Sequence, residues 1–249
     1  MSRYPRDPDE SRSSFGKKRP GRQRPAPKNP RDWGAKCDLC PLRHSEPVTG
    51  DGPDDALFAV VGEAPGQNEV QAGIPFIGRS GEWLEARLTE VGKEALGSPL
   101  SRREVLLENA IACFPPGGDM KAFMQRAKKA HRELEDAKPA KEREPFHSPI
   151  DCCRPRLFYA LGIPRCASCG KWDVKDATAV IANGLGKAPP PELPGGLSCT
   201  CEKPRWTKSK FFRVRGVLAA GNAALEALRG SSGIMDKQMY VFENAEKVK

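Results

Sequence analysis

Two periods of apolar spacing alternate along this chain. Ala56-Leu-Phe-Ala-Val-Val61 is a short continuous apolar run that stops at Gly62-Glu-Ala-Pro-Gly66, the pattern of a buried parallel strand feeding a loop. Residues 80–91 change to helical spacing. Leu84, Leu88 and Val91 share a face, Ser80 is placed to cap the start, and Gly92 to stop it. Residues 105–112 predict a second strand, running into Cys113-Phe-Pro-Pro, and residues 214–220 a third, followed by a helix over 222–228. Strand, helix and strand in that order describe a right-handed βαβ unit on a parallel sheet. Ligand sites in such sheets lie at the carboxyl ends of the strands, where residues 62–66 and 109–116 fall.

Two stretches break the pattern. Residues 119–148 are charged, with Phe123, Ala127, Ala130 and Leu134 spaced for a weakly amphipathic helix, and residues 165–210 hold four cysteines around a Pro/Gly-rich middle. Only 38% of the 249 residues are hydrophobic, against 24 Gly and 24 Pro, which favours one core diluted by tail and insertions over two full domains. The expected organisation is a disordered basic tail over 1–36 and one domain over 37–249, interrupted at 119–148 and 165–210.

The charge is concentrated in the tail. Residues 1–36 carry eleven Lys/Arg against four acids, so +7 of the net +9 lies there and the body is nearly neutral. Such a segment has too few aliphatic groups to fold. It serves either as a sequence-independent attraction for phosphates or as a solubilising tail. No apolar run reaches the roughly 18 residues that a membrane span needs, and the N-terminus has no apolar signal core. The expectation is a soluble cytoplasmic protein with no membrane partner.

The loop after the first strand concentrates candidate chemistry. Gly62-Glu-Ala-Pro-Gly66-Gln-Asn-Glu69 and then Gly73-Ile-Pro-Phe76-Ile-Gly-Arg-Ser-Gly81 bring glycines, two carboxylates and a ring to one strand end. Glycine lets backbone approach a flat ligand, and a ring such as Phe76 stacks on a base. Asn109, ending the neighbouring strand, offers a donor and an acceptor on one planar group, which matches a pyrimidine edge. A structural turn with an asparagine cap is the alternative. The nine cysteines fall as 37/40, 113, 152/153, 166/169 and 199/201, enough for two four-thiolate sites with one spare. In a cytosolic chain they indicate metal before disulfide. Cys166-Ala-Ser-Cys169-Gly with Cys199-Thr-Cys201 reads as a zinc ribbon, or else as an unliganded reduced loop.

The two blocks Gly-Glu-Ala-Pro-Gly…Pro-Phe-Ile-Gly-Arg-Ser-Gly and Glu-Asn-Ala-Ile-Ala-Cys-Phe-Pro-Pro, in that order, resemble the iron–sulfur-type (family 4) uracil-DNA glycosylases. The resemblance implies a three-layer α/β/α sandwich around a short parallel sheet. It also implies hydrolysis of the N-glycosidic bond of uracil in DNA after base flipping. By the same resemblance Gly62, Glu63 and Ala64 line the uracil pocket, Phe76 stacks on the base, Asn109 reads its edge, and Glu69 positions the attacking water. Cys37, Cys40, Cys113 and Cys153 match the ligands of a [4Fe–4S] cluster. Cys152 rivals Cys153, and zinc is an alternative occupant.

The family's C-terminal His-Pro-Ser block has no counterpart among these residues, whose three histidines are His44, His131 and His147. A truncated product, a second chain completing the fold and a divergent form each account for that. Two other readings stand beside the glycosylase: a catalytically weak or inactive protein that binds uracil or DNA, and a metal-ribbon adaptor.

Overall fold

The apolar run after residue 56 forms β1 (Phe58–Gly62), and the glycine-rich loop beyond it carries a short helix, α1 (Gln67–Ala72). Then follow α2 (Arg79–Leu96), β2 (Val105–Asn109), α3 (Met120–Asp136) and α4 (Pro149–Ala160). The remaining elements are β3 (Arg165–Cys166), β4 (Ala177–Ile181), β5 (Trp206–Thr207), β6 (Gly216–Ala219), α5 (Asn222–Arg229) and β7 (Tyr240–Asn244). These come from a computed structural model that describes residues 29–171, 177–181, 199–207, 214, 216–229 and 240–244. Most of the basic tail, residues 1–28, lies outside the described residues. No helix among the described residues is long and apolar enough to cross a membrane.

The main sheet has the order β2-β1-β6-β7-β4. β1 pairs in parallel with both β2 and β6, as the βαβ reading requires, whereas β7 runs antiparallel to β6 and to β4. Strand periodicity divides the core into two layers. Ala59, Val61 and Leu106 pack in one cluster with Leu157 and Phe158 of α4 and with Ala224, Ala227 and Leu228 of α5. Val60, Val105 and Leu107 turn the other way, into a second cluster with Phe76 and with Leu84 of α2. Helices therefore cover both faces of the parallel strands, giving the α/β/α sandwich.

Several boundaries differ from the sequence pattern. Helix α2 begins after Gly78, whose carbonyl accepts the Glu82 N–H at 3.0 Å, so Ser80 is inside the helix and is not its cap. The helix also passes through Gly92 and stops at Gly97, which takes the left-handed conformation (φ 72°). Gly92 is instead a point of close approach: a Cβ there would sit 2.2 Å from the Leu100 nitrogen of the returning chain. Val91, expected on the apolar face, is exposed. The second strand ends at Asn109, and residues 110–112 stay buried while leaving its register.

The tail boundary also moves. Pro30–Trp33 form a 3-10 turn capped by the Asn29 side chain, and the Trp33 ring lies 5.6 Å from that of Tyr159 on α4. Aromatic packing thus orders residues that composition alone assigned to the tail. The 119–148 stretch does form a helix, α3, capped by Asp119, with Met120 and Phe123 against the core and Leu134 exposed. Within 165–210, β4 leaves the cysteine-rich ribbon and becomes an edge strand of the main sheet.

One contact ties α2 to the loop before it. A Cβ on Gly81 would lie 1.9 Å from the Phe76 carbonyl oxygen and 2.3 Å from its carbon, so the Phe76 backbone rests directly on the first turn of α2. Substituting Gly81→Ala forces these apart, and overpacking of this kind costs about 1–3 kcal/mol. Urea denaturation should show that loss for Gly81→Ala and little change for the exposed neighbour Ser80→Ala; equal midpoints for the two would remove the contact from the account.

Candidate functional site at the strand ends

Register brings the candidate residues together. Gly62, last in β1, is the direct partner of Asn109, last in β2. Both turn to the α2 side, the side of Val60 and Leu107. The space a Gly62 side chain would fill is already taken: a Cβ there would be 2.5 Å from Asn109 Oδ1 and 2.8 Å from Phe76 Cζ. Phe76 adopts φ 57°, unusual for a residue with a side chain. The Arg102 guanidinium fixes this turn, donating to the Phe76 carbonyl at 3.1 Å and to the Pro75 carbonyl at 3.0 Å, with Asp51 at 3.6 Å. Arg102 has no signal in the sequence, since nothing separates it from Arg103 beside it.

Asn109 is buried, 4% exposed, and its Nδ2 makes no hydrogen bond of ordinary geometry. Glu69 lies beside it on α1. Burial pushes the Glu69 carboxyl above its ordinary value, opposed by the backbone N–H groups of Gly66, Phe76 and Ile77 and by the Asn109 amide. Its carboxylate accepts the Gly66 N–H at 3.3 Å, so the same group also holds the loop together. Ala64 is half-buried against the core. Glu63 is exposed, and its carbonyl accepts the Ile111 N–H at 2.9 Å. The described contacts therefore unite Gly62, Glu69, Phe76 and Asn109, while Glu63 and Ala64 border them.

One residue earlier on β2 the chemistry changes, because Glu108 turns to the opposite face. Its carboxylate accepts from Arg156 Nη1 of α4 at 2.7 Å, with both side chains essentially fully buried. Arg156 Nη2 donates to the Asn109 carbonyl, and Arg156 Nε has no partner. The guanidinium also lies near the Cys153 and Cys113 thiols. Here α4 supplies a bridge between the end of β2 and a group of cysteines.

Those cysteines surround a cavity of about 230 Å³, lined among others by Cys37, Cys40, Cys113, Cys152 and Cys153. Burial, then repulsion from its neighbours, pushes the Cys113 thiol up to about 12, and burial raises Cys153 and Cys37 as well. Cys40 neighbours Cys152, and both residues of the Cys152-Cys153 pair line the cavity. The second set is tighter: the sulfurs of Cys166, Cys169, Cys199 and Cys201 all lie within 4.8 Å of one another.

The family model of the uracil DNA glycosylase superfamily matches residues 49–183, which contain both strand ends and the Gly62–Asn109 partnership. The chain belongs to that superfamily. This glycosylase-superfamily chain is 29% identical over 129 residues to the type-4 uracil-DNA glycosylase of Pyrobaculum aerophilum, covering 51% of the present chain and 50% of that protein. The enzyme of the same name from Sulfurisphaera tokodaii is 42% identical over 81 residues, covering 32% and 34%, and that from Thermotoga maritima 37% over 83 residues, covering 32% and 40%. The chain thus spans half or less of the length of these relatives.

The Glu108–Arg156 pair should behave as a buried ion pair whose members depend on each other. Arg156→Met leaves a carboxylate buried and unpaired, which typically costs 3–5 kcal/mol. Adding Glu108→Leu removes that charge and should recover most of the loss. Urea denaturation of the single and double variants at equal metal content checks this; additive losses would mean the two side chains do not act as a pair.

Proposed function

We propose that this protein recognises uracil in DNA and hydrolyses its N-glycosidic bond, the activity for which its type-4 uracil-DNA glycosylase relatives are named. The observation that carries the reading is the Asn109 amide, buried at a strand end with no hydrogen bond of ordinary geometry to Nδ2, facing a ring and a carboxylate. A flipped uracil offers O4 as an acceptor and N3–H as a donor, side by side, and one planar amide satisfies both. Phe76 supplies the stacking face, and the backbone of Gly62 and Ala64 lines the pocket. Glu69, half-buried with its carboxylate fixed, orients water toward the sugar carbon, and Glu63 lies at the mouth.

Bond cleavage leaves an oxocarbenium-like sugar and a uracil anion, so the donors that meet the base edge also stabilise the leaving group. The basic tail adds attraction to phosphates.

We further propose that the first cysteine set holds a [4Fe–4S] cluster. The donor set fits it: the buried Cys40, Cys113, Cys152 and Cys153 and the half-buried Cys37 line one cavity, where a single ion would need its sulfurs drawn close together. The unpaired Arg156 Nε–H beside Cys153 is a donor that bound thiolates would satisfy. When bound, such a cluster supplies a structural cross-link between the Cys37–Leu39 turn, the segment after β2, and α4. Excision needs no electron transfer.

Two measurements test these readings. A uracil-containing oligonucleotide should be bound in preference to its thymine counterpart. Asn109→Ala should abolish that preference and lower any single-turnover excision by about 10²–10³-fold, the usual effect of losing one preorganised donor. Equal binding of the two oligonucleotides by the unaltered protein would refute the pocket. Separately, anaerobically purified protein should be brown, with the colour retained in Cys152→Ser and lost in Cys153→Ser. Colourless protein, or the reverse response of the two variants, would overturn the assignment of the cluster or of its fourth ligand.

A further inference from the structure

Cys166 and Cys199 are each only 1% exposed, yet neither belongs to the two apolar clusters that form the core. The secondary structure around them is slight: β3 and β5 pair antiparallel over two residues each, Arg165 with Thr207 and Cys166 with Trp206. A ladder of that size does not hold itself in water. The backbone is nonetheless specific. Cys166 N–H donates to the Lys171 carbonyl at 2.7 Å, Ala167 N–H to the Arg205 carbonyl at 2.7 Å, and Gly170 N–H to the Cys166 carbonyl at 2.8 Å. Gly170 takes φ 72°, which turns the chain sharply after Cys169. On the other arm, Cys201 N–H donates to Cys199 Sγ at 3.4 Å. Each arm is thus a tight turn that presents two sulfurs inward.

We propose that Cys166, Cys169, Cys199 and Cys201 bind one structural Zn²⁺ ion, which closes this ribbon independently of the first cysteine set. Tetrahedral zinc with Zn–S bonds of about 2.3 Å sets its sulfurs about 3.8 Å apart. The four sulfurs here already lie within 4.8 Å of one another, with Cys169 and Cys199 at 3.5 Å. That last separation is far beyond the S–S bond of about 2.05 Å, so no disulfide competes in this arrangement. It is also too close for a cluster, since four irons and four sulfides between these sulfurs would push them apart.

The two thiol sets therefore differ in kind. One encloses a multi-atom cavity, the other a single-ion site. Zinc has no redox chemistry and no geometric demand beyond the tetrahedron that four thiolates supply. Its consequence is mechanical. The chain leaves the ribbon at Cys169 and re-enters at Cys199, so one ion fixes both ends of the intervening segment. Past β5, the Val214 N–H bonds to the Leu161 carbonyl at 3.1 Å, returning the chain to the sheet for β6.

Metal content tests this without reference to glycosylase activity. Anaerobically purified protein of all 249 residues should carry one zinc per chain alongside its iron. Cys37→Ser should lose iron and keep zinc. Cys169→Ser, at an exposed position, and Cys201→Ser should lose zinc and keep iron. Growth on cobalt should give the visible bands of a tetrahedral cobalt–thiolate centre, present in Cys37→Ser and absent in Cys169→Ser, which reports the site even if one zinc-free variant folds poorly. Four freely alkylated thiols in the unaltered ribbon, iron in place of zinc there, or zinc retained in both Cys169→Ser and Cys201→Ser would overturn the proposal.

Discussion

The arrangement of the site depends on a fully buried ion pair, Glu108 with Arg156. A carboxylate and a guanidinium removed from water cost several kcal/mol each unless their hydrogen bonds are met. Arg156 meets them by reaching in two directions at once, to the Glu108 carboxylate and to the Asn109 carbonyl. It therefore fixes the backbone of the residue whose side chain forms the proposed uracil reader. Its position three residues after Cys153 on α4 places the same guanidinium beside the cysteine cavity. Displacement of α4 in response to metal loss would be felt at Asn109 through this one side chain.

Strand parity makes this division of labour possible. Adjacent residues of β2 point to opposite faces, so Glu108 serves the α4 side and Asn109 the α2 side within 3.8 Å of backbone. The α2 side is crowded by design of the backbone: Phe76 reaches Gly62 only because no Cβ stands there, and the Phe76 turn rests on Gly81 for the same reason. Arg102 then holds the carbonyls of that turn, which keeps φ 57° at Phe76 from relaxing. The positions of Gly62, Phe76 and Asn109 relative to one another are thus fixed by packing.

Much of this was legible in the chain. The apolar runs located the three parallel strands, because strands buried on both faces read as near-continuous apolar runs, with Glu108 and Asn109 at the end of β2 the exceptions. The glycine-rich loop and Asn109 fell at the strand ends that the topology selects. Four things were not legible. Arg102 and Arg156 look like ordinary surface cations in sequence, and only the fold shows that one binds carbonyls and the other is buried. The order of residues 29–36 comes from the contact of Trp33 with Tyr159, some 126 positions away in sequence, which no local window reports. Strand β4 lies within a stretch that the sequence suggested was a cysteine-rich, zinc ribbon-like insertion. Gly92, a stop by local rule, is inside a helix because the chain folds back upon it.

The cysteines show why spacing and geometry carry different information. Both sets begin with Cys-x-x-Cys, and sequence alone allows either to hold zinc or a cluster. The partners decide. Cys199 and Cys201 come from a second short turn that can close on the first without displacing anything, so four sulfurs collapse to single-ion separations. Cys113 and the Cys152-Cys153 pair come instead from the segment after β2 and from α4, which the Glu108–Arg156 pair ties to each other. With Cys37 and Cys40 they line one cavity of about 230 Å³. The buried pair that fixes the Asn109 backbone thus also ties together two of the elements that line the first cysteine site.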